Sequence, residues 1–298
     1  MACFKNHYFV DQSILATIAH HMLSSLLIHN QNLHNIFSSP KHVRTMNGQN
    51  RCQRGKMQKL NETYLKIKRI LGEQTEPLES VQLVETYRRY LKPNKVRVIL
   101  LAESHVFTYD ADRKVPIPLI PDLPGYPVEY ARFVYCLGYG EKSLTRSENH
   151  PKRDGTPQFW KIFFSCCNSV SSPEDFHPIL GQTPAKQRLE NKIKILKRLK
   201  AQGIWLVDAS IVALYKDSKK IPNMFKALEE SWQSYTRDIV ISSNPEHIIC
   251  IGKGVAKIVD ADLNKHFQGR YTVIAQPNAF LSSAEHMANY KMYSKICY

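Results

Sequence analysis

Four short apolar runs, set apart by stretches of helical periodicity, constrain this chain more than any other feature: Val96 to Ala102, Ile204 to Val207, His247 to Ile251 and Tyr271 to Ala275. They are rich in Val, Ile and Leu and lack a polar alternation, the texture of strands covered on both faces. Between and around them, apolar residues recur at helical spacing. Leu78 to Leu91 carries Leu78, Val81, Leu83, Val84, Tyr87 and Leu91, and Pro93 ends it. Ala185 to Lys200 carries Leu189, Ile193, Leu196 and Leu199 on one stripe, with Gly203 beyond its end. Met224 to Ile241, Val255 to Leu263 and Ser283 to Ile296 complete the helical set. Helices alternating with buried strands predict an α/β domain, a three-layer α/β/α sandwich around a short four-stranded parallel sheet.

The domain is expected over residues 57–298, with 1–56 as an extension that is either poorly ordered or an accessory helix. Ser38 to Lys56 lacks periodicity. Ile14 to Ile28 is apolar, but it contains His20 and His21, is followed by no small-residue cleavage site, and is too short to span a bilayer. Phe107 to Pro127 holds five prolines and is read as the wall of a site, because it directly follows the first strand's polar loop. Tyr130 to Tyr139 and Gln158 to Cys167 read as short aromatic-rich helices.

Of the 298 residues 43% are hydrophobic, enough for a real core, and the formal net charge of +15 favours a polyanionic partner. The seven cysteines form no Cys-x-x-Cys pair and are odd in number, so buried free thiols in a reducing, cytoplasmic compartment are expected rather than disulfides, zinc or iron–sulfur ligation. No cofactor and no membrane partner are expected.

Polar residues gather at the carboxyl ends of the first and last apolar runs. The first opens into Ala102-Glu103-Ser104-His105, and the last into Gln276-Pro277-Asn278-Ala279-Phe280-Leu281-Ser282. Ligands of open parallel sheets bind at that rim. Glu103 and Asp208 are candidate anions at this rim, His105 and the Gln276 amide candidate donors, and Phe107, Tyr109 and Phe133 candidate aromatic faces for a planar ligand.

With these loops in order, the chain resembles the uracil-DNA glycosylase superfamily over about residues 78–298. Members of that family have a short parallel sheet whose first strand ends in a water-activating loop and whose last ends in a His-Pro-Ser-Pro-Leu-Ser motif or a relative. The resemblance places Glu103 at the Glu or Gln of the first loop and Ser104 at the position of a catalytic Asp. It places Asp208 where an Asn reads the base, Gln276 at the His that hydrogen-bonds the base carbonyl, and Asn278 at a Ser. It implies a metal-free hydrolase acting on a base–sugar bond in DNA, including single-stranded DNA, in repair. Glu103, His105 and Asp208 would then be catalytic, and Ser104, Phe107, Tyr109, Gln276, Asn278 and Ser282 would bind substrate. An ionised Asp208 accepts hydrogen bonds and so favours a base edge that presents donors.

Two other readings stand beside it: a nucleic-acid-binding module on the same fold without catalysis, and a small-molecule hydrolase or transferase using Ser104 and His105. Neighbouring Ser and His point apart on an extended chain, which disfavours the last as a nucleophile–base pair. The basic face of Ala185 to Lys200 reads either as a phosphate contact or as a solvated surface. Ser282 and Ser283 read as phosphate ligands or as a cap, and Gly252-Lys253-Gly254 reads as a tight strand-to-helix turn.

Overall fold

The computed structural model describes residues 40–145, 157–277 and 280–298. Ile14 to Ile28 and Asn278 lie outside the described residues. The chain divides into two compact units, Met1–Met57 and Gln58–Tyr298. Helices are α1 (Pro40–Leu71), α2 (Leu78–Tyr90), α3 (Asp110–Arg113), α4 (Pro157–Cys167), α5 (Ala185–Ala201), α6 (Met224–Ser231), α7 (Arg237–Ser243), α8 (Lys253–Phe267) and α9 (Ser283–Cys297). Strands are β1 (Val98–Ala102), β2 (Ile204–Asp208), β3 (Tyr215–Lys216), β4 (Lys219–Lys220), β5 (His247–Ile251) and β6 (Tyr271–Ile274).

The four apolar runs form one parallel sheet in the order β2-β1-β5-β6, with Val98 opposite both Ile204 and His247 and Ile248 opposite Tyr271. Every residue of β1 and β2 is buried, whereas β6, at an edge, is buried only at Ile274. The chain steps from β1 to β2 in one direction and from β5 to β6 in the other. Right-handed crossovers therefore put the intervening helices on opposite faces. In one layer α5 packs on β2 and α4, and α4 on α9; in the other, α8 covers β5 and β6. The result is a three-layer α/β/α sandwich. Within the second unit, Leu60, Tyr64, Ile67 and Leu71 of α1 form a buried stripe at helical spacing.

Several local expectations are corrected. Tyr130 to Tyr139 is a series of turns, not a helix. Aromatic hydroxyls supply some of its hydrogen bonds: Tyr126 Oη donates to the Tyr135 carbonyl (2.6 Å) and accepts from Leu137 N–H (2.6 Å). Tyr135 Oη accepts the Leu206 N–H at 2.7 Å, satisfying an edge group of β2 that the sheet leaves unpaired. Met224 to Ile241 is helical throughout, as expected, with a π-helical turn, Trp232–Thr236, between α6 and α7. The described part of Ser38 to Lys56 is helical, since α1 begins at Pro40; a stretch polar all round carries no hydrophobic period to read. The β3–β4 hairpin has no forerunner in the sequence analysis. Its turn residues Asp217 (φ 52°) and Ser218 (φ 65°) are both left-handed, the type I′ geometry that matches strand twist.

Cys136, Cys166, Cys167, Cys250 and Cys297 are free and buried. Burial pushes the Cys167 and Cys250 thiols up to about 12, which suppresses the reactive thiolate. Among the described residues no helix is long and apolar enough to cross a membrane.

Candidate functional site

β1 lies at the centre of the strand reversal, flanked by β2 and β5, so the crevice of the sheet opens past its carboxyl end. The pairing of β1 with β2 runs to Ala102 opposite Asp208. It continues into the loops, where Ala209 N–H donates to Ala102 O at 2.7 Å and Ser210 N–H to Glu103 O at 3.0 Å. At this rim lies a cleft of about 800 Å³. Glu103, His105, Phe107, Tyr109, Asp208 and Gln276 all line it, although Glu103 and Gln276 come from opposite ends of the domain's sequence.

Glu103 is partly buried, and that burial raises its carboxyl above the usual range, while a hydrogen bond from the Tyr215 hydroxyl and the charge of Lys220 pull it down. Tyr215 in turn is pushed up to about 12, by its own burial and then by the neighbouring carboxylate. Gly252 occupies the tight turn into α8 at φ +109°, and a Cβ there would stand 3.6 Å from Gln276 Oε1. One at Gly254 would stand 3.7 Å from Glu103 Oε1. The turn read from the sequence therefore lies within van der Waals reach of both Glu103 and Gln276.

His105 and Asp208 line the cleft from within a buried chain of charges. His105 Nε2 lies 2.6 Å from Glu76 Oε1, and its Nδ1 lies 3.5 Å from Asp208 Oδ2, too long for a good hydrogen bond. Arg88 bridges Asp208 Oδ2 (3.1 Å) and Glu85 Oε2 (2.6 Å), and Glu85 Oε1 also receives Arg89 (2.7 Å) and the Tyr235 hydroxyl (2.8 Å). Burial alone would lower the His105 value, but the charges of Glu76 and Asp208 and the hydrogen bond with Glu76 outweigh it and raise the imidazole to about 9. His105 is therefore a cation at neutral pH, held in place rather than free to exchange protons. Glu76 also accepts the Ala213 N–H at 2.6 Å, which fixes the loop after β2.

Phe107 and Tyr109 face each other at 4.7 Å. Lys216 lies 4.8 Å over the Phe107 ring, and Arg132, paired with Asp112 at 2.7 Å, lies 5.4 Å over Tyr109. The Tyr109 hydroxyl donates to Asp217 at 2.9 Å, joining this wall to the hairpin tip. The proline-bearing part of Phe107 to Pro127 does not line the cleft; it pairs back on itself through Ile117 N–H to Val128 O (2.7 Å). Ser104 Oγ accepts the Leu214 N–H at 3.3 Å and makes no contact with His105, which excludes a Ser–His nucleophile pair. Ser282 caps α9, its Oγ 2.7 Å from Glu285 and accepting the Glu285 N–H.

The basic helix α5 is largely occupied within the molecule. Arg188 and Lys192 hold the fully buried Glu141 at 2.8 and 2.5 Å, Lys197 pairs with Asp122, and Lys200 donates to Tyr90 O. Glu76, Arg88, Arg132 and Tyr215 were missed by sequence analysis. Arg88 sits on a helix face that reads as solvated, and no spacing links Glu76 to the loop it anchors. Among the described residues no three His, Cys, Asp or Glu side chains are grouped to hold a metal ion. No protein-family model, curated protein or solved structure matches this chain.

Proposed function

We propose that this chain is a divergent member of the uracil-DNA glycosylase superfamily, which hydrolyses the base–sugar bond of a nucleotide extruded from DNA into the cleft. The observation that carries the reading is the convergence of Glu103, Asp208 and Gln276 on one cleft at the carboxyl rim of a β2-β1-β5-β6 sheet. Its aromatic lining suits a nucleobase, which is held by stacking once flipped. Phe280, 95% exposed in the turn after β6, is an apolar group available to fill the gap an extruded base leaves.

Glu103 is the group that acts on water. Its raised value brings it towards neutrality, where a carboxylate is an effective proton acceptor. In the reaction water attacks C1′ and gives its proton to Glu103, the C1′–N bond breaks, and its electron pair leaves with the base. The Gln276 amide N–H donates to the base carbonyl as that charge grows. Asp208 is held by Arg88 and His105, both against Oδ2. It accordingly supports positive charge on the sugar or accepts hydrogen bonds from a base edge rich in donors. His105 positions Asp208 in this scheme.

The test is incubation of the full chain with single- and double-stranded oligonucleotides carrying uracil, hypoxanthine and other damaged bases, scored for abasic sites. Product with the wild type that disappears in Glu103→Gln supports the reading. The absence of product on every substrate, with nucleic acid still bound, supports instead a non-catalytic binding module on the same fold. That second reading is favoured by Ser104, whose hydroxyl at the resemblance's carboxylate position is committed to Leu214.

A further inference from the structure

A second groove, of about 460 Å³, opens between α6 and α8. Phe225, Lys226 and Glu229 line it from α6, and Lys253, Gly254 and Lys257 from α8. A Cβ on Gly254, which lines the groove, would lie 3.7 Å from Glu103 Oε1 of the cleft and 3.9 Å from Phe225 Cε1 of the groove, so the two concavities are neighbours.

Its three lysines stand against a single carboxylate, and among the described residues none of the three forms an ion pair. This contrasts with α5, whose Arg188, Lys192 and Lys197 are neutralised by Glu141 and Asp122. Like charges gathered in a concavity repel one another until a polyanion enters, and lysine ammoniums act as point charges on phosphates. Phe225, 52% exposed, offers an aromatic face beside them, and aromatic faces bind unpaired bases by stacking without regard to sequence.

We propose that this groove seats the nucleotide adjacent to the one in the cleft, within a single-stranded DNA segment: Lys226, Lys253 and Lys257 neutralise its phosphodiester backbone and Phe225 stacks on its base. The assignment rests on the reading of the cleft as a nucleotide site.

The test is fluorescence anisotropy of a labelled single-stranded 20-mer titrated with the full chain across a range of KCl, with abasic-site formation measured in parallel. The four side chains are exposed, so their replacement leaves the fold intact, as a matching melting curve will show. Lys226→Ala, Lys253→Ala and Lys257→Ala combined should bind at least about tenfold more weakly and lower the salt slope by about 2, at roughly 0.7 per single-strand phosphate contact. Phe225→Ala should bind about tenfold more weakly with the slope unchanged. The corresponding triple arginine variant should bind as the wild type, as should Lys186→Ala with Lys194→Ala on α5. Unchanged affinity and slope in the triple alanine variant overturn the proposal, even if abasic product shows the cleft reading to be right. So does a wild type that binds phosphatidylserine vesicles but not the oligonucleotide. Weakened binding in the triple variant, with no abasic product from the wild type, supports the groove and removes catalysis from the cleft.

Discussion

His105 Nε2 stands 2.6 Å from Glu76 Oε1 with both side chains fully buried, which makes the floor of the cleft a permanent ion pair at neutral pH. Folding raises the His105 value from 6.5 to about 9, so the folded chain holds this proton more tightly than the unfolded chain. The stabilisation is complete below about pH 6.5 and is lost as pH rises through about 9. Urea unfolding followed across that window should show a falling free energy, and Glu76→Gln should flatten the fall by removing the charge that holds the proton. A midpoint indifferent to pH in the wild type would falsify the pairing. Glu76→Ala, which also strands the Ala213 N–H, should cost about 3–5 kcal/mol, the range for breaking a buried pair.

Tyr215 hydrogen-bonds Glu103 and thereby lowers a carboxyl value that burial raises. Tyr215→Phe removes that donor, so the Glu103 value should climb further. If Glu103 acts as a base, the acidic limb of the excision rate against pH moves to higher pH in this variant, with the plateau rate retained. Glu103→Gln should lower the rate by at least about 100-fold, the lower bound for a general base, while its melting temperature stays at or above the wild type's. An acidic limb that ignores Tyr215→Phe would remove Glu103 from the proton-transfer step.

Gly203 sits at φ +75° between α5 and β2, and a Cβ there would lie 2.8 Å from the Lys95 carbonyl oxygen and 3.0 Å from Arg97 N. Both obstacles are backbone, and Gly203 O receives Arg97 N–H at 2.7 Å and Val98 N–H at 3.0 Å at the entry to β1. Gly203→Ala should therefore destabilise the fold by about 1–3 kcal/mol from backbone strain alone, with the clash adding to it. A denaturation midpoint equal to that of the wild type would contradict the geometry.

Glu141 is wholly buried beneath Arg188 and Lys192. Glu141→Gln leaves the buried Lys192 ammonium without its counter-charge and should cost about 3–5 kcal/mol in urea unfolding. Because the partners are inside the structure, the loss should persist at 1 M salt, where the Debye length is only about 3 Å. DNA affinity measured on the folded fraction should not change, since this end of α5 is a structural contact.

The sheet was legible because its strands are covered on both faces, and such strands must be continuously apolar. Val96 to Ala102 and Ile204 to Val207 differ from β1 and β2 only at their ends. Amphipathic stripes placed α2 and α5 for the same reason, and the rule that ligands meet a parallel sheet at its carboxyl rim was enough to single out Glu103 and Gln276. The aromatic richness of Tyr130 to Tyr139 misled because Tyr135 commits its hydroxyl to the edge of β2, a need set by the neighbouring strand and not by the segment itself.

What tertiary structure alone decided is the pairing of charged groups inside the site. Glu76 meets His105 across 29 residues, and Arg88 meets Asp208 across 120. Local periodicity reports which face of a helix or strand is covered; it carries no record of which buried anion will find which cation. That choice follows from how the layers stack, and it turns His105 and Asp208 from two polar residues at strand ends into an imidazole held by Glu76 and a carboxylate held by Arg88.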